Sequence, residues 1–349
     1  MNQNQSNKGA PTISGIGART ISNRRAILIN AVHPIAEKPY IPVVDNIIGI
    51  NNGAIIYFHK LQHGMTYEYQ IVGDQTINPI NAVENEKYIL ISGLTNTVSY
   101  NIRLRSVNID QRKSDWLNII NIIPQLTQIV ITNVGVATFQ PPKGAPVSYL
   151  IVGGGGGGGG SYDTGTGGGG GGGMVLSGTF TSYGIVYTAN VGDGGAGGVG
   201  ENDGSPGISS SIAGIGVALG GLGGFRSRSA PGGTGIGGNA ASPPTLAAGG
   251  GNGGGSQATS IGSGGGGGSS GSGGNATATG GAGGAGTTVT ISSVTGTYGV
   301  GGDGRNNVSD GNGNDGIVNT GNGGQGAAST SSDSDNGGVG GSGIVIVAY

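Results

Sequence analysis

The chain has 349 residues, 84 of them glycine, and no cysteine, against an average glycine usage of about 7%. Without cysteine there is no thiol nucleophile, thiolate metal site or disulfide, and three early histidines (His33, His59, His63) offer little for a histidine-based site. A net charge of −2 with no basic block, and no run of about 18 apolar residues, exclude a nucleic-acid footprint and a membrane-spanning helix.

Residues 1–150 carry 10 glycines, whereas 151–349 carry 74. The first stretch has 12 Lys/Arg against 8 Asp/Glu; the second has three basic residues (Arg226, Arg228, Arg305), nine acidic ones and no lysine. Two bodies of different physics follow from that split. Residues 1–41 read as an arm: polar to residue 12, with no apolar segment of a secretory signal, then mixed. It suits attachment to a partner.

From Pro42 to Pro124, short β-rich runs alternate with turn residues at the spacing of a β-sandwich. Ala54–Phe58, Thr66–Ile71, Lys87–Ile91, Tyr100–Val107 and Trp116–Ile122 are the expected strands. In Tyr100–Val107 the apolar Tyr100, Ile102 and Leu104 share one face and charges the other. Gly93-Leu94, five residues, then Tyr100-x-Ile102-x-Leu104-x-Ser106-Val107-Asn108 resembles the E–F corner and F strand of a fibronectin type III domain, and Tyr67–Ile71 resembles its strand C. The resemblance implies a spacer or binding module over 42–124. The tryptophan usual on strand B is missing, and Ile55 or Tyr57 is expected to fill its volume.

The second body, residues 125–349, opens with strand-like Thr127–Thr132 and Val136–Phe139 and a turn at Pro141–Gly144. Val147–Val152 then runs into eight glycines, 153–160; a second run covers 167–173, and tracts recur at 249–255, 264–268 and 280–286. Ordering glycine is entropically costly, and the tracts have almost no apolar side chains to offset it. A flexible linker is the simple reading. The flanking apolar β segments argue otherwise, because a terminal Ile344–Val347 run is an aggregation hazard unless paired. The ordered solution is a bundle of polyproline-II-like rods, three residues per turn, whose all-glycine members accept neighbours on every side. Collagen is excluded by the lack of a strict G-X-Y period. The expected fold class is therefore all-β: a fibronectin-like sandwich plus a β-bracketed domain of polyglycine II helices.

Ser148–Val152 followed by polyglycine, Tyr187–Gly198, and Gly341–Tyr349 resemble the opening, second strand and closing strand of a glycine-rich domain found in phage tail-fibre tips and large-virus proteins. That resemblance implies a structural or adhesive role on a virion surface. It implies assembly in the host cytoplasm with other virion proteins through the N-terminal part, and contact of the loops with a host glycan or protein; a homo-oligomer is compatible with it. Loops interrupting the glycine tracts supply the contact candidates: Tyr162 and Asp163; Phe225, Arg226 and Arg228; Tyr298; and Arg305.

No catalytic, cofactor or metal set emerges. The many Gly-x-Gly-x-x-Gly matches open no helix after a strand, and no serine sits in a nucleophile elbow. Gly311–Ile317 fits most of one calcium β-roll nonapeptide, in a single copy, and Asp310, Asn312 and Asn314 imitate an EF-hand start but continue with Asp315 at position six. Asp333 and Asp335 read as solvated loop acids, and Glu84 and Glu86 as a polar turn. A purely architectural capsid or fibril subunit, or a cell-surface matrix or ice-binding protein, are the rival readings.

Overall fold

The structure, a computed structural model, describes residues 38–61, 65–83, 86–226, 262–276, 280–306 and 311–349. The N-terminal arm to residue 37, the 249–255 tract, Arg228, His33, His63, Glu84 and Asp310 lie outside them. The fold is all-β, without a helix among the described residues.

The first unit comprises β1 (Val44–Ile50), β2 (Gly53–Phe58), β3 (Thr66–Ile71), β4 (Asn78–Ile80), β5 (Tyr88–Ser92), β6 (Tyr100–Val107) and β7 (Leu117–Ile122). One sheet has the order β1-β2-β5, the other β4-β3-β6-β7, all antiparallel. Ala54, Ile56 and Phe58 of β2 and Ile89 and Ile91 of β5 meet Tyr67, Ile102, Leu104, Ile119 and Ile122 of the other sheet. Leu94 is buried below the β5–β6 corner, where the Thr95 N–H donates to the Tyr100 hydroxyl oxygen at 2.9 Å. On the outer face Arg103 and Arg105 cover the Trp116 ring at 4.7 and 4.0 Å.

One expectation is corrected here. Ile55 and Tyr57 do not fill the sandwich core; Ile56 and Phe58 do. Ile55 packs the opposite way with Ile50, Tyr88 and Ala145, flanked by Tyr57 and Tyr349, and so welds the first unit to the second. A strand covered on both faces loses its alternation, so its parity is not readable from sequence. At this junction the Tyr57 hydroxyl donates to the Lys143 carbonyl, and Lys143 pairs with Glu86. Gly144, at φ +82°, lies where a Cβ would be 2.5 Å from the Tyr88 ring.

The second unit adds β8 (Gln128–Ile131), β9 (Gly135–Phe139), β10 (Pro146–Val152), β11 (Ser161–Tyr162), β12 (Val175–Thr181), β13 (Tyr187–Val191), β14 (Ser210–Ile212), β15 (Gly216–Ala218), β16 (Thr287–Ile291), β17 (Val294–Tyr298), β18 (Ser334–Asp335) and β19 (Ile344–Ala348). Sheets β12-β10-β19-β8 and β15-β14-β13-β9 face each other across Val147, Ile151, Val345 and Val347 on one side and Phe139, Tyr187, Ala189 and Ile212 on the other. The outer face of β10 and β19 is covered by Ile291 and Tyr298 of the β16–β17 hairpin. β19 is thus buried along its whole length, which accounts for its unbroken Ile-Val-Ile-Val run.

Rods of extended backbone continue from these strands. Along rod 153–160, Gly154, Gly157 and Gly160 donate their N–H groups to Ile208, Ser205 and Asn202. Gly155 and Gly158 donate to Gly341 and Gly338, and Gly153, Gly156 and Gly159 to Met174, Gly171 and Gly168. The carbonyls accept in the same rhythm: Gly154 and Gly157 from Gly221 and Gly224, Gly155 and Gly158 from Gly195 and Gly198, Gly156 and Gly159 from Gly324 and Ala327. The period is three residues, the screw of polyglycine II. Three antiparallel neighbours accept and three parallel neighbours donate, so the rod sits inside a hexagon. That hexagon closes on itself through Gly168→Phe225, Gly204→Gly224, Ser205→Ala196, Gly337→Gly198, Gly338→Gln325 and Gly167→Ala327. Every position in it requires glycine: a Cβ on any of residues 153–160 would lie 2.0–2.3 Å from a neighbouring carbonyl oxygen. Outer rods need glycine only where they face inward, and expose every third side chain, as in Leu219, Leu222 and Phe225.

Two outcomes test this architecture. Gly157→Ala drives a methyl against the Ala196 carbonyl and is expected to destabilise the second unit by about 3 kcal/mol or more. The solvent-facing Ser205→Ala one rod away changes stability by less than about 0.5 kcal/mol; chemical denaturation followed by circular dichroism reads both. At the junction, burial first and the neighbouring Tyr88 second push the Tyr57 pKa up from 10.0 to about 12. The native state keeps that proton where the unfolded chain has lost it. The stabilisation is therefore full below pH 10 and fades as pH rises toward 12. Tyr57→Phe flattens this alkaline slope in a pH series of melting temperatures.

Candidate functional site

The rods fix which side chains are free to meet a partner. Rod 153–160 leaves β10 and spans about 25 Å at about 3.1 Å per residue. The turns at 161–166, 199–203 and 328–335, together with residues 225–226, 262–263 and 305–306, gather at its far end, remote from the two packed sheets.

At this tip the short ribbon β11–β18 pairs Ser161 with Asp335 and Tyr162 with Ser334. The Gly165 N–H donates to the Tyr162 carbonyl at 3.1 Å, closing a turn whose two central residues, Asp163 and Thr164, have φ of +46° and +61°. That is the handedness of a type I′ turn, normally built from Asn-Gly. A β-branched residue in the second place is strained. Tyr162 is 41% exposed. Ser331 steadies the opposite loop, its hydroxyl 3.0 Å from an Asp333 carboxylate oxygen.

Phe225 ends the exposed row on rod 219–225. The Arg226 N–H donates to Asp203 Oδ1 at 2.7 Å, and its guanidinium donates to the Glu201 carbonyl and lies 3.6 Å from the Glu201 carboxylate. The Tyr162 and Phe225 groups are bridged by the 199–203 turn: Gly200 sits against Ser334 and its N–H bonds Asn336, while Asn202 accepts from Gly160. Arg305, half-buried, donates through Nη2 to the Asn312 carbonyl at 2.9 Å and to Gln325 Oε1 at 3.3 Å.

Tyr298 is not at the tip. It is 6% exposed and packs at the base against Leu150, Val152, Ile344 and Ile346; burial pushes its phenol pKa up. An aromatic residue among glycines resembles a loop residue, but the Thr-x-Thr alternation of the hairpin turns this one inward. Arg228 lies outside the described residues.

The calcium-like stretch has a different use. Asn312 Oδ1 accepts from the Asn336 N–H at 2.8 Å and Asp315 Oδ1 from the Val339 N–H at 2.7 Å, while Gly313 and Gly316 donate to the carbonyls of those same two residues. The side chains zip rod 311–317 to rod 336–343. Asp303 likewise accepts from the Gly283 N–H of a neighbouring rod, whereas Asp193 accepts from the N–H of Gly194 beside it in its own rod. Among the described residues no three His, Asp or Glu side chains converge as metal ligands, and no helix is long and apolar enough to cross a membrane.

A family model described as a glycine-rich domain matches residues 131–349. The chain belongs to that family. The match begins at Ile131, the last residue of β8, and takes in the remaining strands of both sheets, the described rods and the tip. No curated protein matches the chain at a significant level.

Sequence reasoning singled out Tyr162, Asp163, Phe225, Arg226 and Arg305. It passed over Glu201, Asp203, Asp303 and Gln325, whose spacing carries no motif because rod packing alone brings them together. Relief of the strained turn is measurable: Thr164→Gly raises stability by about 1 kcal/mol in denaturant titration, with unchanged circular dichroism.

Proposed function

We propose that this chain is a non-enzymatic virion surface or fibre protein that presents a rigid glycine-rich bundle for host attachment. The observation that carries the reading is the segregation just described. Tyr162, Phe225 and Arg226 gather at one end of a stiff, backbone-bonded bundle, and the packed sheets and the first unit stand at the other. The first unit serves as a spacer of fibronectin type III type. Its strand partition and its Tyr100 corner support that assignment, since a tyrosine near the start of strand F bonding backbone a few residues upstream marks such sandwiches. The N-terminal part joins other virion proteins, and the tip meets a host glycan or protein.

The shape suits the task. In the enclosed rod every N–H of 153–160 donates a backbone hydrogen bond and the carbonyls of 154–159 each accept one, so the bundle resists fraying without a large apolar core. Perimeter positions every third residue change without disturbing the lattice, and the tip turns vary most freely of all.

The test is immunolabelling of intact particles with an antibody raised against the 161–166 turn. Label at the particle periphery that also blocks adsorption supports attachment. An epitope hidden in intact particles and exposed only on disassembly overturns it in favour of a purely architectural subunit.

A further inference from the structure

Beside the tip, rods 280–286 and 299–305 and the side chain of Gln325 enclose an open cleft of ≈ 370 Å³, lined by Gly280, Gly281, Asp303, Arg305, Asn306 and Gln325 among others. That volume is at the small end of ligand clefts, about 300–1,000 Å³. Its chemistry is specific. Among the described residues the buried Arg305 Nε–H has no hydrogen-bond partner, although Nη2 of the same guanidinium is held by Asn312 and Gln325. A buried, unanswered donor on a charged group is expensive and calls for an acceptor. Among the described residues Asp303 bonds the lattice through Oδ1 alone, on the Gly283 N–H at 2.7 Å. Its other carboxylate oxygen is an acceptor on the same wall.

We infer that this cleft binds a neutral polyhydroxylated ligand, a single sugar ring, with Arg305 donating to a ring or hydroxyl oxygen and Asp303 accepting from an adjacent hydroxyl. The formal charges of Asp303 and Arg305 cancel, so the site selects against phosphate and other strong anions. Hydroxyls both donate and accept, and so answer the exposed carboxylate oxygen and the orphan N–H together. Among the described residues no aromatic ring lines the cleft, so recognition is by hydrogen bonds rather than stacking and is weak per site. The inference rests on the attachment reading above and gives its partner a chemical class.

The test uses the full chain and saturation-transfer NMR with methyl glycosides of glucose, galactose, mannose and N-acetylglucosamine, with inorganic phosphate as the anionic control. At least one glycoside is expected to show transfer, and phosphate no competition. Asp303→Asn keeps the oxygen that holds Gly283 but replaces the free acceptor with a donor; Arg305→Lys removes Nε while keeping the charge. Each is expected to weaken the signal at least tenfold with a melting temperature close to that of the native chain. No transfer from any glycoside, transfer unaltered by both variants, or displacement by phosphate overturns the cleft assignment. Adsorption of particles carrying Asp303→Asn separates the two readings. Adsorption blocked by the tip antibody but indifferent to this variant removes the cleft and leaves attachment standing. Sugar binding by a chain whose tip antibody never blocks adsorption does the reverse.

Discussion

The second unit depends on one contact: a backbone Cα pressed against the carbonyl oxygen of a neighbouring chain. In rod 153–160 that contact recurs at every residue and turns through three directions in three residues, so no side chain fits anywhere. The same closeness lets every N–H of 153–160 and every C=O of 154–159 find a partner on a neighbouring segment at 2.8–3.0 Å. Weak Cα–H···O attraction adds to these bonds. Glycine is entropically the poorest residue to order, yet it is the residue that permits a lattice in which backbone alone forms the interior.

Such a lattice does not set its own register, because a run of identical residues slides by three without penalty. The packed sheets supply the missing information. β10, β13, β15 and β17 launch rods outward, and rods return into β12, β14, β16 and β19. Side chains such as Ile151, Val345 and Ile212 fix where each strand ends and therefore where each rod begins. Asn312 and Asp315 add a second pin at the rim by bonding N–H groups of the next rod. Non-glycine residues on the outer rods give the left-handed screw its preference, since none of Asp193, Ala196 or Val199 has a positive φ.

Much of this was legible in the sequence, for identifiable reasons. Two unbroken glycine runs beside apolar strands announce rods crowded from all sides, and 153–160 is the rod enclosed by a full hexagon. The unbroken Ile344–Val347 run announces a strand covered on both faces. Other features were hidden. β1 and β4 carry weak patterns, and the β16–β17 hairpin is too threonine-rich to stand out, which is why Tyr298 reads as a loop residue. The faces of β2 cannot be assigned when both are buried. Acidic and amide residues at calcium-like spacing prove to be rod zippers, because three-residue periodicity imitates a ligand loop. The cleft at Arg305 combines Asp303 with Gln325, neighbours only through the lattice.

The glycine-only interior also explains how a chain of low hydrophobic content holds a stiff projection, with the sandwich core and the junction at Tyr57, Tyr88 and Gly144 anchoring it to the first unit. Amide hydrogen exchange on the full chain tests this most directly. If backbone bonding between rods is the interior of the second unit, the amides of residues 153–160 exchange only with global unfolding, as slowly as those of β10 and β19. Exchange of those glycines at the rate of an unstructured peptide, while β10 and β19 stay protected, would contradict the account.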